Sequence, residues 1–263
     1  MKQNNSLDAE HFYKLGNSKS DSKDYEGAIK NFTKVIEIDS SFPNIFYFRG
    51  EANRKLGNYE SAIKDFTKYL AFKPSAGVFS CRGSSHVELG NYESAIKDFT
   101  KSLEIDSEEH FVYLARGNAK NFSEDYSGAI EDLDIAIKLN SKPESDDDYR
   151  SLMDTYDARS LAKYKLQNYS GAIKDLTNAI EMDPEEPYFY YQRGINMQLN
   201  ENDSEAIRDF NKVLDIDPNY RNADYIRGIS KYNLKDYKGA CKDWKNSADR
   251  GYKPAEKYLN KYC

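Results

Sequence analysis

The string LGNYESAIKDFTK occupies residues 56–68 and recurs, letter for letter, at residues 89–101. The offset is 33 residues. Sliding the core of this string along the chain finds seven copies. They are DYEGAIKNF from Asp24, NYESAIKDF from Asn58 and Asn91, DYSGAIEDL from Asp125, NYSGAIKDL from Asn168, NDSEAIRDF from Asn202 and DYKGACKDW from Asp236. Their central small residues are Ala28, Ala62, Ala95, Ala129, Ala172, Ala206 and Ala240, at gaps of 34, 33, 34, 43, 34 and 34. A period near 34 kept over seven copies signals a solenoid and outranks any local propensity.

Each period divides into two helical stretches. In the second copy the first runs from about Pro43 to Leu56 and breaks at Gly57-Asn58, and the other runs from about Tyr59 to Phe72 and stops near Pro74. Gly after one helix and Pro after the next are stop signals. Apolar residues recur at three- and four-residue steps in both stretches. One such pair cannot bury enough apolar area alone, so neighbouring pairs must stack.

With Gly at the eighth slot, Tyr at the seventeenth, Ala at the twentieth, an aromatic or Leu at the twenty-fourth and Pro often at the thirty-second, the pattern resembles the tetratricopeptide repeat (TPR) family. In style it looks like a bacterial-type array of seven repeats. The eighth slot holds Gly16, Gly50, Gly83, Gly117, Ser160, Gly194 and Gly228. The twenty-fourth holds Phe32, Phe66, Phe99, Leu133, Leu176, Phe210 and Trp244, and Pro74, Pro184 and Pro218 match the thirty-second. The resemblance implies an all-α, right-handed α-solenoid of helix-turn-helix repeats at 9–42, 43–75, 76–109, 110–140, 153–186, 187–220 and 221–250. Outside them lie a short tail at 1–8, an acidic insertion at 141–152 and a C-terminal capping helix at 253–263. Small residues at the eighth and twentieth slots let paired helices touch, while the Tyr and the twenty-fourth residue fill the seam to the next pair.

Composition narrows the function. The net charge is −6, from 38 Lys plus Arg and 44 Asp plus Glu, which argues against a nucleic-acid binder with its basic stripe. No apolar run reaches the length of a membrane span. The N-terminus, MKQNNSLDAEHFYKLGN, lacks the apolar stretch of a signal peptide, so a cytoplasmic location without membrane insertion is expected. Cys81, Cys241 and Cys263 form no CxxC pair, and three reduced thiols are the simpler expectation.

Neither chemistry nor a cofactor is expected. His11, His86 and His110 fall at different slots and do not converge on a metal. No phosphate-binding glycine loop or nucleophile elbow occurs. The run ESDDDY at 144–149 lacks the Gly and distal Glu of a calcium loop and reads as an acidic helix start.

Six repeats pair an Arg at the seventh slot with an Asp at the twenty-third: Arg49 with Asp65, Arg82 with Asp98, Arg116 with Asp132, Arg159 with Asp175, Arg193 with Asp209 and Arg227 with Asp243. The first repeat loses both, having Leu15 and Asn31. Joint appearance and loss is what internal ion pairs produce, so a ladder is favoured over an arginine row gripping an acidic partner.

The resemblance implies ligand binding on the concave face, through slots two, five, nine, twelve and thirteen. These are polar and mixed in the first three repeats and become apolar from the fourth on. Phe111, Leu114, Asn118 and Phe122 represent the fourth repeat, and Leu161 and Tyr164 the fifth, where Asp154, Asp157 and Lys165 fill the other slots. The sixth supplies Tyr188, Tyr191, Ile195 and Leu199, and the seventh Tyr225, Ile229 and Tyr232. These thirteen apolar, aromatic and Asn positions are the candidate protein- or peptide-binding site. Packing into neighbouring repeats, cover by the C-terminal helix, or a second copy of the chain would also explain them. Family members that clamp a terminal carboxylate use Lys at the fifth slot and Asn at the ninth. Only Asn17 and Asn118 fit, and no Lys occupies the fifth slot, so that partner class is disfavoured. A non-catalytic protein- or peptide-binding scaffold is therefore expected. The alternatives are a self-associating structural scaffold forming a homo-oligomer, or an accessory subunit of an enzyme complex.

Overall fold

A computed structural model describes residues 2–42, 44–220 and 222–263. The described residues form fifteen α-helices and no strand. Contacts divide the chain into two compact bodies, one ending at Asp125 and one running from Tyr126 to Cys263. The N-terminal body contains α1 (Lys2–Asp21), α2 (Tyr25–Ile38), α3 (Ile45–Lys55), α4 (Tyr59–Phe72), α5 (Ala76–Glu88), α6 (Tyr92–Ile105) and α7 (His110–Phe122). The C-terminal body contains α8 (Tyr126–Leu139), α9 (Asp146–Lys165), α10 (Tyr169–Met182), α11 (Pro187–Leu199), α12 (Asp203–Ile216), α13 (Ala223–Asn233), α14 (Tyr237–Asp249) and α15 (Lys253–Tyr262). Within each body every helix packs on the next in sequence, which is solenoid stacking.

The eighth-slot glycines are explained by contact. A Cβ on Gly16 would sit 2.5 Å from the Phe32 ring, and one on Gly228 would sit 2.6 Å from Nε1 of Trp244. Where the twenty-fourth slot holds a ring beside such a glycine, the ring thus lies directly against the bare backbone of its own pair. Phe32 also reaches the next pair, with its ring 6.0 Å from Phe48. The twentieth-slot alanines are fully buried. The seventeenth-slot tyrosines differ from expectation. They open the second helix of a pair and remain partly exposed, and Tyr237 is 52% exposed. Such a Tyr reaches the neighbouring first helix from outside, as Tyr92 does in stacking on Phe122 at 5.1 Å.

The turn inside each pair is built the same way seven times. The fifteenth slot takes a left-handed backbone: Gly57 and Gly90 adopt φ of 82° and 71°, while Lys23, Glu124, Gln167, Glu201 and Lys235 adopt φ of 60–66°. Only glycine takes that conformation without steric cost. In the first, fifth and seventh repeats the sixteenth-slot side chain also caps the second helix. Asp24, Asn168 and Asp236 accept hydrogen bonds from the backbone N–H of Gly27, Gly171 and Gly239 at 2.9, 3.0 and 2.9 Å, satisfying a donor the helix start leaves over.

Three sequence expectations change. The stretch read as a tail is helical from Lys2, and Ala9 is the first residue of α1 described as buried. Met1 of that tail, and the repeat starts placed at Pro43 and Arg221, lie outside the described residues. The acidic insertion contributes the N-terminal extension of α9. Ser145 caps it by accepting from the Asp148 N–H, and Asn140 at the end of α8 donates to the Asp148 carbonyl at 2.6 Å. The expectation of three reduced thiols is corrected. Cys241 and Cys263 form a disulfide, with Cα atoms 5.8 Å apart. Their separation of 22 residues hid the pairing. The reversal of direction between α14 and α15 brings the chain end back beside Cys241.

The Arg–Asp ladder is internal. Arg49, Arg82, Arg193 and Arg227 each fork onto Asp65, Asp98, Asp209 and Asp243 through Nε and Nη2, at 2.6–2.9 Å. Arg159 does the same with Asp175. In the first repeat the Asn31 amide donates instead to the carbonyl of Gly27. The sequence did not reveal where the third nitrogen goes. Nη1 crosses to the twenty-fifth slot of the preceding repeat: Thr33 for Arg49, Thr67 for Arg82, Thr100 for Arg116, Asp134 for Arg159, Thr177 for Arg193 and Asn211 for Arg227. Arg49, Arg82, Arg159, Arg193 and Arg227 therefore each close their own pair and tie it to the one before.

Candidate functional site

The structure sorts the candidate residues into three groups. Leu161 and Tyr164 of α9 and Tyr188 and Ile195 of α11 line one cavity of about 190 Å³, with Asp157, Ser160, Lys165, Gln192 and Asn196. Six of these nine residues occupy slots that the sequence assigned to the ligand face. The slots repeat every 34 residues, so stacking two first helices places their side chains opposite one another.

A second group is exposed without forming this cavity. Leu199, at the end of α11, is 44% exposed. Phe111 and Phe122 on α7 are 43% and 61% exposed, and Leu114 and Asn118 on the same helix are half-buried. These four belong to the N-terminal body.

The third group overturns expectation. Tyr191 is 8% exposed and packs between Phe210 and Tyr220, at ring distances of 6.1 and 5.4 Å, so it is core. Tyr225, Ile229 and Tyr232 face the C-terminal helix. Tyr225 meets Tyr252 and Tyr258 at 5.1 and 5.3 Å, and Tyr232 meets Tyr262 at 4.8 Å. Ile229 joins the same apolar cluster around Trp244 and Ala255. On the seventh repeat, α15 covers the surface that a following pair would bury.

Electrostatics set the α9–α11 cavity apart. Burial pushes the Asp157 carboxyl up to about 6, against a hydrogen bond donated by the Tyr188 hydroxyl at 3.3 Å, and the Asp154 charge adds to the rise. Burial also raises Asp154 from the ordinary carboxylate value. Asn196, 3% exposed, donates through Nδ2 to the Gln192 carbonyl, while its buried Oδ1 has no hydrogen-bond partner. Asp157 and Asn196 were not singled out in the sequence. The repeat spacing places Asp157 on the candidate ligand face, and the lack of a counter-charge among the described residues shows only in three dimensions. Among the described residues no group of three or more His, Cys, Asp or Glu is placed to hold a metal ion. No described helix is long and apolar enough to cross a membrane.

Family models described as TPR or tetratricopeptide repeat match residues 16–57, 43–75 with 82–109, and 158–221. The chain belongs to the tetratricopeptide repeat family. Those matches fall on repeats one, two, three, five and six of the TPR array. Among curated proteins nothing matches. Solved TPR structures do. The C-terminal part of a TPR repeat-containing protein from Cytophaga hutchinsonii aligns with a TM-score of 0.78 at 19% identity, over 94% of this chain and 99% of that one. A tetratricopeptide repeat protein from Parabacteroides merdae aligns with a TM-score of 0.67 at 19% identity, over 97% and 98%. MamA from Desulfovibrio magneticus aligns with a TM-score of 0.60 at 18% identity, over 68% and 96%. At these identities the likeness is one of fold.

Proposed function

We propose that this TPR array is a non-catalytic scaffold that captures a peptide segment of a partner protein. Its capture surface lies in the C-terminal body, on α9 and α11. The observation that carries this reading is the cavity between the two helices, where residues from equivalent slots of successive repeats leave Leu161 46% exposed at the edge. Folding already buries the alanines and the twenty-fourth-slot residues, and the cap already covers Tyr225, Ile229 and Tyr232. The cavity left at α9 and α11 combines apolar and aromatic side chains with the polar groups of Asp157, Ser160, Lys165, Gln192 and Asn196. Small recognition sites share that mixture.

The test is affinity capture from the native cell with the Leu161→Ser, Ile195→Asn double variant. A partner held by the unaltered protein should be lost by the variant, while its circular dichroism and light-scattering mass stay the same. Retained capture would overturn the assignment. So would a concentration-dependent dimer that the variant abolishes, since the face would then be serving self-association.

A further inference from the structure

Six buried carboxylates share one arrangement. Asp65, Asp98, Asp175, Asp209 and Asp243 each receive a guanidinium fork, and Asp224 receives Arg250. Burying a carboxylate costs free energy unless a cation or several donors compensate. Asp157 lacks that arrangement. It is half-buried, its one hydrogen bond to its carboxylate comes from the Tyr188 hydroxyl, and no cation pairs with it among the described residues. The charge that acts on it is Asp154, which repels. Lys165 borders the same cavity but is exposed and is not among the groups that shift Asp157.

We propose that the α9–α11 cavity receives the guanidinium of an arginine carried by the bound peptide, with Asp157 as its anchor. This inference rests on the capture surface proposed above. Three features beyond the charge favour arginine. Tyr164 and Tyr188 line the cavity, and guanidinium groups stack on aromatic faces. The chain uses that stacking itself, with Arg159 over Tyr156 at 5.8 Å and Arg193 over Tyr190 at 5.6 Å. Asn196 brings a buried oxygen that lacks a donor, so acceptors come from both α9 and α11. A planar group with five N–H donors can serve acceptors on two sides, whereas an ammonium offers a compact point charge with three. The cavity thus has the chemistry of the internal Arg–Asp–Tyr contacts, with the arginine left to the partner.

The experiment is an amide-resolved NMR titration of the full chain with acetyl-Gly-Gly-X-Gly-Gly-amide, where X is Arg, Lys, norleucine, Glu or Phe. The Arg peptide should move the resonances of Asp157, Tyr164, Gln192 and Asn196. The norleucine and Glu peptides should bind those residues at least about tenfold more weakly, with Lys between. Asp157→Asn, which keeps the shape and an acceptor, should weaken the Arg peptide by about tenfold with an unchanged far-UV spectrum. Norleucine binding as tightly as Arg, or an Arg affinity indifferent to Asp157→Asn, would overturn the inference. If the Phe peptide perturbs these residues and the Arg peptide does not, the capture surface survives and the arginine site falls. If no peptide perturbs α9 or α11, both fall.

Discussion

Arg193 holds Asp209 through two parallel hydrogen bonds of 2.8 Å and extends its third nitrogen 3.1 Å to Thr177 in the preceding repeat. The pair is mostly shielded, with side-chain exposures of 16% and 7%. Removing one partner leaves a shielded charge uncompensated, typically at about 3 kcal/mol or more. Asp209→Ala should therefore lower the urea midpoint by an amount equivalent to about 3 kcal/mol. Thr177→Val, which loses only the bond between repeats, should cost about 1 kcal/mol. Equal effects of the two would show that the fork within a pair is not the dominant contact.

Gly194 lies where a Cβ would come within 2.8 Å of the Phe210 ring. Alanine is the better helix former by about 1 kcal/mol, so propensity alone makes Gly194→Ala stabilising. Overpacking against a fully buried ring opposes it at about 1–3 kcal/mol. We expect net destabilisation, read as a lower thermal midpoint. Adding Phe210→Leu should recover part of the loss, because the fifth repeat already combines Ser160 with Leu176 at these slots. A double-mutant cycle with no coupling would reject the contact.

Asp157 predicts a pH dependence. Unfolded, its carboxyl titrates near 4. Folded, burial pushes it up to about 6. Between these values the folded chain holds the proton more tightly, so this group's stabilising contribution is full below about pH 4. It falls as the pH rises to about 6 and stays low above that. Asp157→Asn removes the loss. Relative to the unaltered protein it should be neutral at pH 4 and stabilising by about 1–2 kcal/mol at pH 7.5, after allowance for solvent access. Urea melts at the two pH values supply the measurement. A structural carboxylate would give the opposite sign at pH 7.5, which makes this a check on the cavity independent of any ligand.

The Cys241–Cys263 bridge closes a loop across α14 and α15. Loops of this size are stabilised by about 3 kcal/mol when cross-linked. Reduction, or Cys263→Ser, should first loosen α15, seen as faster proteolysis after Lys257 and quenching changes at Trp244, which the cap contacts. Unchanged proteolysis after reduction would show that the aromatic packing of Tyr258 and Tyr262 on Trp244 holds the cap by itself.

The repeat and its packing were legible because five of the seven copies answer the same steric demand with the same pair of residue types. A ring lying on bare backbone requires Gly at one slot and an aromatic sixteen residues later, and that pairing survives in the letters. The Arg–Asp ladder was legible for the same reason, through joint loss at Leu15 and Asn31. The turn was legible only where Gly57 and Gly90 mark it. Lys23, Glu124, Gln167, Glu201 and Lys235 take the same left-handed backbone under tertiary constraint, and their side chains do not announce it.

The candidate ligand face was legible only as a set of slots. The sequence by itself determined the period, the helix pairs, the internal ion pairs and the first-helix positions that recur, because those follow from contacts repeated at a fixed spacing. Tertiary structure alone decided which of those positions are available. Tyr191 is taken by the core, and Tyr225, Ile229 and Tyr232 by the cap, while Leu161, Tyr164, Tyr188 and Ile195 are left around a cavity. It also joined Cys241 to Cys263 and left Asp157 with no cation partner among the described residues. Each of these depends on what a non-repeating neighbour covers, and a repeating pattern does not encode that.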